Sequence, residues 1–311
     1  MRLDKSSLAN QRIRDAAEHA AAADRLSVPA LERFLRTGDE TWDGAGSGRF
    51  TPAQFENNTT YRRAAKHALR TLFDLLANLL PAEVRRAPHV APELIRARVE
   101  PMVKGLVQKD WQEISLRELV SRTFVLNFRG AKAALEVELP SCDMDSAWRI
   151  LWGFYGDQGL KPDDVEMTCD GLACDFAHVR WSAYETKDPY SDVVVHETAH
   201  LLHYLKPTNF GLDVRRHQER FVDVEFRHRE LFAFACEAYS RVILRGPRQS
   251  RVAFAENMRE GAFSFPSGSI GEVTALVLNS ARARNGWRVI REATVIHRTR
   301  NPVKAEADRS R

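Results

Sequence analysis

The stretch DPYSDVVVHETAHLLHYLKP, Asp188 to Pro207, limits what this chain can fold into more than any other. It reads as one helix with clear ends. Asp188 can cap the free N–H groups of the first turn, and Pro189 suits the first helical position, where no N–H is needed. Pro207 disfavours helical geometry at Lys206 and so stops the helix there. His196 and His200 lie four apart, on one face and about one turn from each other. That spacing lets one nitrogen of each reach a single ion at roughly 2.0–2.1 Å. Glu197 flanks the same position, where a carboxylate can hold an attacking water. The order His-Glu-x-x-His on a helix is the pattern of zinc-dependent hydrolysis.

The surroundings of the histidines carry the argument further. Val193-Val194-Val195 precede them and Leu201-Leu202 follow, so they belong to a helix that is largely buried. Buried imidazoles without a ligand would each need a hydrogen-bond partner or carry a desolvation cost, and a metal removes that need. Two histidines are not enough, because a catalytic zinc takes three protein ligands plus water. His203 is seven residues from His196, about 10 Å along the axis, which one ion cannot bridge. His203 therefore reads as a cleft or packing residue.

Composition narrows the class. A chain of 311 residues can bury a large core in one large domain or two small ones. Its formal net charge of +4 permits an acidic partner without demanding nucleic acid, since no dense basic stripe alternates with aromatics. Four cysteines, Cys142, Cys169, Cys174 and Cys236, are too few and too irregular for a disulfide framework or a zinc ribbon. The default setting is reducing and cytoplasmic. The N-terminal residues lack the apolar core of a secretory signal, and no apolar run approaches membrane-spanning length, so no membrane partner is expected. Oligomeric state is not encoded in any pattern found.

Along the chain, residues 7–37 read as helical with a break near Pro29, and a turn-rich loop follows to about Gly48. Thr60 to Leu80 carries an apolar helical stripe, and further helices are expected from Pro92 to Leu106 and from Ser115 to Val120. Residues 1–120 are read as a helical N-terminal domain suited to packing or partner binding. From Thr123 the pattern changes. Phe124–Phe128 and Ala134–Leu139 alternate like two strands around Arg129-Gly130, and a helix over 147–155 follows. Short strands are expected at Val165–Cys169 and at Phe176–Tyr184. Beyond Gly211, a helical pattern extends from about Asp213 to Leu244, with a strand or break allowed at Phe221–Phe226. A capping box at Ser269-x-x-Glu272 opens a helix to about Arg284, and Trp287–Val295 is a closing strand or helix. Residues 298–311 form a polar, basic tail read as disordered. The fold class expected is α+β.

A small sheet followed by a His-Glu-x-x-His helix resembles the zincin metallopeptidases, over roughly residues 123–297. The resemblance implies a zincin-like domain over residues 121–297, with a small mixed sheet and two metal-binding helices. It also implies an edge strand above the motif helix that binds an extended peptide, for which His178–Tyr184 is the candidate. The metzincin branch would need His at position 206 and Gly at 203, where this chain has Lys206 and His203. The gluzincin branch takes its third ligand from a glutamate on a following helix, and Glu219, Glu230 and Glu237 qualify. Glu219 sits near the expected distance, with Asp223 one turn on, but in a strongly charged stretch. Glu230 opens the run Glu230-Leu231-Phe232-Ala233-Phe234-Ala235, which resembles the ligand helix of small gluzincins. Its alanines allow close approach to the motif helix, so Glu230 is favoured. Glu237, two turns on, can instead accept a hydrogen bond from a ligating imidazole. The larger gluzincins place an aspartate four residues after the ligand, where this chain has Phe234.

The resemblance implies Zn2+ as cofactor, held by His196, His200 and Glu230, with Glu197 as general base in hydrolysis of a peptide or protein substrate. The oxyanion needs a further donor, and Tyr239, Tyr204, His203 and His228 are candidates. The competing expectation is a zincin-fold regulatory or protein-binding protein without turnover.

Overall fold

The computed structural model describes residues 5–24, 26–39, 52–140, 144–166, 170–173, 175–214, 218–258 and 270–295, with 24 and 52–58 described by backbone alone. The elements begin with helices α1 (Lys5–Asp24), α2 (Val28–Thr37), α3 (Pro52–Ala77), α4 (Ala82–Arg86), α5 (Pro92–Leu106) and α6 (Gln112–Ser121). Strand β1 (Thr123–Leu126), α7 (Phe128–Glu138), α8 (Met144–Asp157), β2 (Gly171–Ala173), β3 (Ala177–Arg180) and α9 (Trp181–Tyr184) follow. The remaining helices are α10 (Val193–Tyr204), α11 (Arg229–Ile243), α12 (Arg248–Glu256), α13 (Ile270–Arg282) and α14 (Gly286–Thr294). Helices dominate and one three-stranded sheet, ordered β1-β3-β2, accompanies them, which is the expected α+β class. Among the described residues no helix is long and apolar enough to cross a membrane. The expected tail at 298–311, Ser269 of the capping box and residues 167–169 of an expected strand lie outside the described residues.

The chain forms two compact units that interleave along the sequence and do not follow the division at residue 120. One comprises Met1–Ala91, Phe124–Leu172 and His178–Glu185; the other comprises Pro92–Thr123, Ala173–Ala177 and Thr186–Arg311.

In the first unit, α1 buries Ala9, Ile13, Ala16, Ala17 and Ala20, a three-four spacing of small side chains that lets it lie close on α3. Helix α8 buries Trp148, Leu151, Trp152, Phe154 and Tyr155. The indole N–H groups of Trp148 and Trp152 both donate to the Leu35 carbonyl, at 3.0 and 2.8 Å. That carbonyl lies in the last turn of α2, where no intrahelical donor remains.

The expected strand at Ala134–Leu139 is instead the second half of α7. Asn127 caps this helix by accepting from the Gly130 amide at 2.9 Å. Ala131, Ala134, Leu135 and Glu138 are its buried face. Glu138 is buried and meets His178 Nε2 at 2.8 Å. The strand expected at Phe176–Tyr184 runs only from Ala177 to Arg180, and Trp181–Tyr184 form one helical turn. That strand, β3, has a neighbour on each side, so it is not the open edge expected to add a peptide.

In the second unit, α10 is buried from Val194 to His203 and packs on α5, α6 and α11. It starts four residues later than expected. Asp188 accepts from the Tyr190 amide at 2.8 Å in a local turn, and Asp192 is the N-cap, accepting from Val195 N at 3.4 Å. Tertiary contacts set this start. The Tyr190 hydroxyl donates to the Phe254 carbonyl at 3.1 Å, and Ser191 and Asp192 are held by Glu237. Among the described residues the α-helix expected from Asp213 is confined to Arg229–Ile243, and Val224 bridges Val295 in the preceding segment. Phe221, Val222 and Val224 are buried there, and the Phe221 and Glu225 amides donate to the distant carbonyls of Leu205 and Thr294, at 3.2 and 3.0 Å, in place of a helical ladder. Of the two expectations for Trp287–Val295, α14 realises the helix.

Candidate metal centre

Two packed helices of the second unit build the site. Helix α10 supplies His196 and His200, both buried, and α11 brings Glu230 to them from its first turn. One donor atom from each of the three lies within 4.8 Å of the others. The two Nε2 atoms are 3.2 Å apart, and Glu230 Oε2 is 3.5 Å from His200 Nε2 and 3.9 Å from His196 Nε2. Donors at about 2.0–2.2 Å from one ion at tetrahedral angles stand roughly 3.3–3.6 Å apart. The spacing therefore fits a single small cation. Two imidazole nitrogens this close also require something positive between them, because two lone pairs repel. A proton bridges one pair of atoms, whereas a metal ion engages all three donors. The set of two imidazole nitrogens and one carboxylate oxygen suits zinc.

His196 is oriented from its far side. Its Nδ1 lies 3.1 Å from Glu237 Oε2, deep in the packing of α10 on α11. Glu237 Oε1 accepts from the Ser191 hydroxyl at 2.7 Å and the Asp192 amide at 2.8 Å, so its carboxylate is fixed at both oxygens. With the Nδ1 proton held by Glu237, Nε2 is the atom that faces His200 and Glu230 and the one that would give up its proton to a bound ion. Phe234 closes another side, with its ring centroid 4.4 Å from that of His196.

Charge follows the geometry. Burial by itself lowers the His196 pKa, but the hydrogen bond to Glu237 and the charges of Glu237, Glu197 and Glu230 push it up to about 9. Burial holds His200 below its ordinary value. The hydrogen bond with His200 and the two imidazole charges pull Glu230 down to about 2, against its partial burial, so it is a carboxylate at neutral pH. Glu230 alone of the three donors is partly exposed, so solvent reaches the set from its side.

Of the sequence candidates, the fold brings His196, His200 and Glu230 together and places Glu197, buried, on the same helix. Glu219 is exposed and outside the cluster. His203 faces Tyr204 and Phe232, with both ring nitrogens buried and unpartnered, and burial drives its pKa down to about 3. Tyr204 is 38% exposed, and His228 Nδ1 lies 3.3 Å from Glu225. Tyr239 is nine residues past Glu230, about 13 Å along α11, against Trp287. Ser191 and Asp192, which fix Glu237, carried no sequence signal of that role, since the sequence places both inside the first turn of the helix.

Compared with protein-family models, with curated proteins and with solved structures, the chain matches none of them.

Proposed function

We propose that this chain is a zinc-dependent metallopeptidase of zincin type, gluzincin-like in taking its third ligand from α11. The observation that carries this reading is the convergence of His196 Nε2, His200 Nε2 and Glu230 Oε2, with Glu237 holding the opposite nitrogen of His196. His196, His200 and Glu230 would hold the ion. Bound there, zinc supplies a water acidified to a pKa of about 7 and a Lewis acid for the scissile carbonyl. Glu197, beside His196 in sequence, takes the proton of the attacking water and returns it to the leaving amine. Glu237 keeps the His196 tautomer fixed throughout. The substrate class is peptide or protein.

The test is metal content together with cleavage of a mixed peptide library. Zinc near one per chain, lost in His196→Ala, supports the centre. Cleavage that falls by about 10²–10⁴-fold in Glu197→Gln while zinc is retained supports the peptidase. Zinc without cleavage in the parent chain favours a non-catalytic zincin-fold binding protein. Absence of zinc from parent and variant alike, after reconstitution, removes the reading.

A further inference from the structure

A cleft of about 680 Å³ lies in the second unit, between the C-terminal part of α11, helix α12 and the start of α14. Tyr239, Arg251, Arg284, Gly286, Trp287 and Arg288 line it. The volume is that of a small-molecule site.

Its floor is built closely. Tyr239 and Trp287 meet edge to face with centroids 4.8 Å apart. A methyl group on Gly286 would overlap the Tyr239 hydroxyl, and one on Gly105 would overlap the Trp287 indole. Tyr239 sits where only glycine fits at 286, and Trp287 where only glycine fits at 105. The floor is thereby fixed before any ligand arrives.

Three arginines, Arg251, Arg284 and Arg288, and one carboxylate, Glu292, are the charged groups of the lining. Arg288 is paired with Glu292 at 2.7 Å, and the neighbouring Arg282 with Glu256 at 3.1 Å. Arg251 and Arg284 have no carboxylate within ion-pair distance among the described residues; Arg251 hydrogen-bonds the Tyr239 hydroxyl, and its Nε is buried without an acceptor. Two guanidiniums thus face one cleft beside the N-terminal amides of α14, whose partial positive charge adds to theirs. Guanidinium groups match oxyanions in a bidentate manner.

We infer that this cleft binds a doubly charged oxyanion group, either a phosphate monoester or a dicarboxylate. The inference does not depend on the metal centre. Calorimetric titration of the full chain with inorganic phosphate and with succinate, at fixed ionic strength, tests it. Saturable binding of at least one anion is expected, weakened at least tenfold in the Arg251→Gln, Arg284→Gln double variant and unchanged in Arg282→Gln. Tighter phosphate binding identifies a phosphate ester as the natural group, and tighter succinate binding a dicarboxylate. If the double variant does not fold, Arg284→Gln alone, at an exposed position, must still weaken binding at least threefold. Binding of neither anion, or binding indifferent to these arginines, overturns the assignment.

Discussion

Replacing Glu237 by glutamine changes almost no volume but removes an acceptor that three donors share. In the parent chain Oε1 takes the Ser191 hydroxyl and the Asp192 amide at 2.7 and 2.8 Å, and Oε2 faces His196 Nδ1 at 3.1 Å. A glutamine offers one oxygen and one NH₂, so whichever way it is set the NH₂ meets a donor. If its oxygen stays with Ser191 and Asp192, His196 must accept at Nδ1 and carry its proton on Nε2. That is the atom facing His200 and Glu230. The lone pair the ion needs is then gone. If the amide is reversed, the NH₂ opposes the Asp192 N–H at the entry to α10. Loss of such an orienting partner costs about 10–100-fold in metal affinity. Tenfold steps of about 1.4 kcal/mol make this roughly 1.4–2.8 kcal/mol. The metal-free protein should also lose about 1–3 kcal/mol, the cost of an unsatisfied buried donor. Competition with a chromophoric chelator measures zinc affinity, and denaturant melts of the metal-free chain measure stability. A variant that binds zinc within threefold of the parent and melts unchanged would refute the role given to Glu237.

Three further outcomes follow from other parts of the second unit. His203→Leu should be neutral or stabilising by about 1 kcal/mol at pH 7, since both ring nitrogens of His203 are buried without partners. Its pKa is depressed to about 3, so the unfolded chain takes up a proton below about 6.5 that the folded chain refuses, and stability falls with falling pH. The variant's decline between pH 6.5 and 5 should be shallower by up to about 1.4 kcal/mol per pH unit, read from urea melts. Burial raises the Cys236 thiol well above its ordinary range, so iodoacetamide at pH 8 should leave Cys236 unlabelled until denaturant is added, with peptide mass mapping as the readout. Gly105→Ala should destabilise by about 1–3 kcal/mol, because the added methyl overlaps the Trp287 ring. A thermal melt unchanged from the parent would show that the ring can move aside.

What the sequence reveals and hides divides by the distance over which each feature is decided. The His196–His200 pair is local: four residues on a helix fix it, and the apolar flanks announce a buried helix. Pro92–Leu106 is legible for the same reason, and its helix has the expected bounds. Alternation misleads at Ala134–Leu139 because the residues that go inside, Ala131, Ala134, Leu135 and Glu138, follow the helical three-four spacing instead. Glu138 is inside, paired with His178 forty positions away, while Val137 is 37% exposed. The start of α10 moved from Pro189 to Val193 because Tyr190, Ser191 and Asp192 are each claimed by residues 45 to 64 positions later. Local capping preferences amount to about 1 kcal/mol and yield to several tertiary hydrogen bonds at once.

The third donor is the instructive case, since Glu230 and Glu237 are seven residues apart on one helix and both are glutamates. Seven residues advance about 10.5 Å, too far for both carboxylates to share an ion. They are not too far to address one imidazole, whose two nitrogens point in different directions. In the fold each takes one side of His196, Glu230 near Nε2 and Glu237 at Nδ1. Only Nε2 also faces His200, so the ion's place lies toward Glu230, and Glu237 is left to hold the ring. The sequence favours Glu230 through the alanine-rich run it opens, but spacing by itself leaves Glu237 open as ligand or as orienting partner. The packing of α11 on α10 separates their roles, through which nitrogen of a single side chain each carboxylate meets.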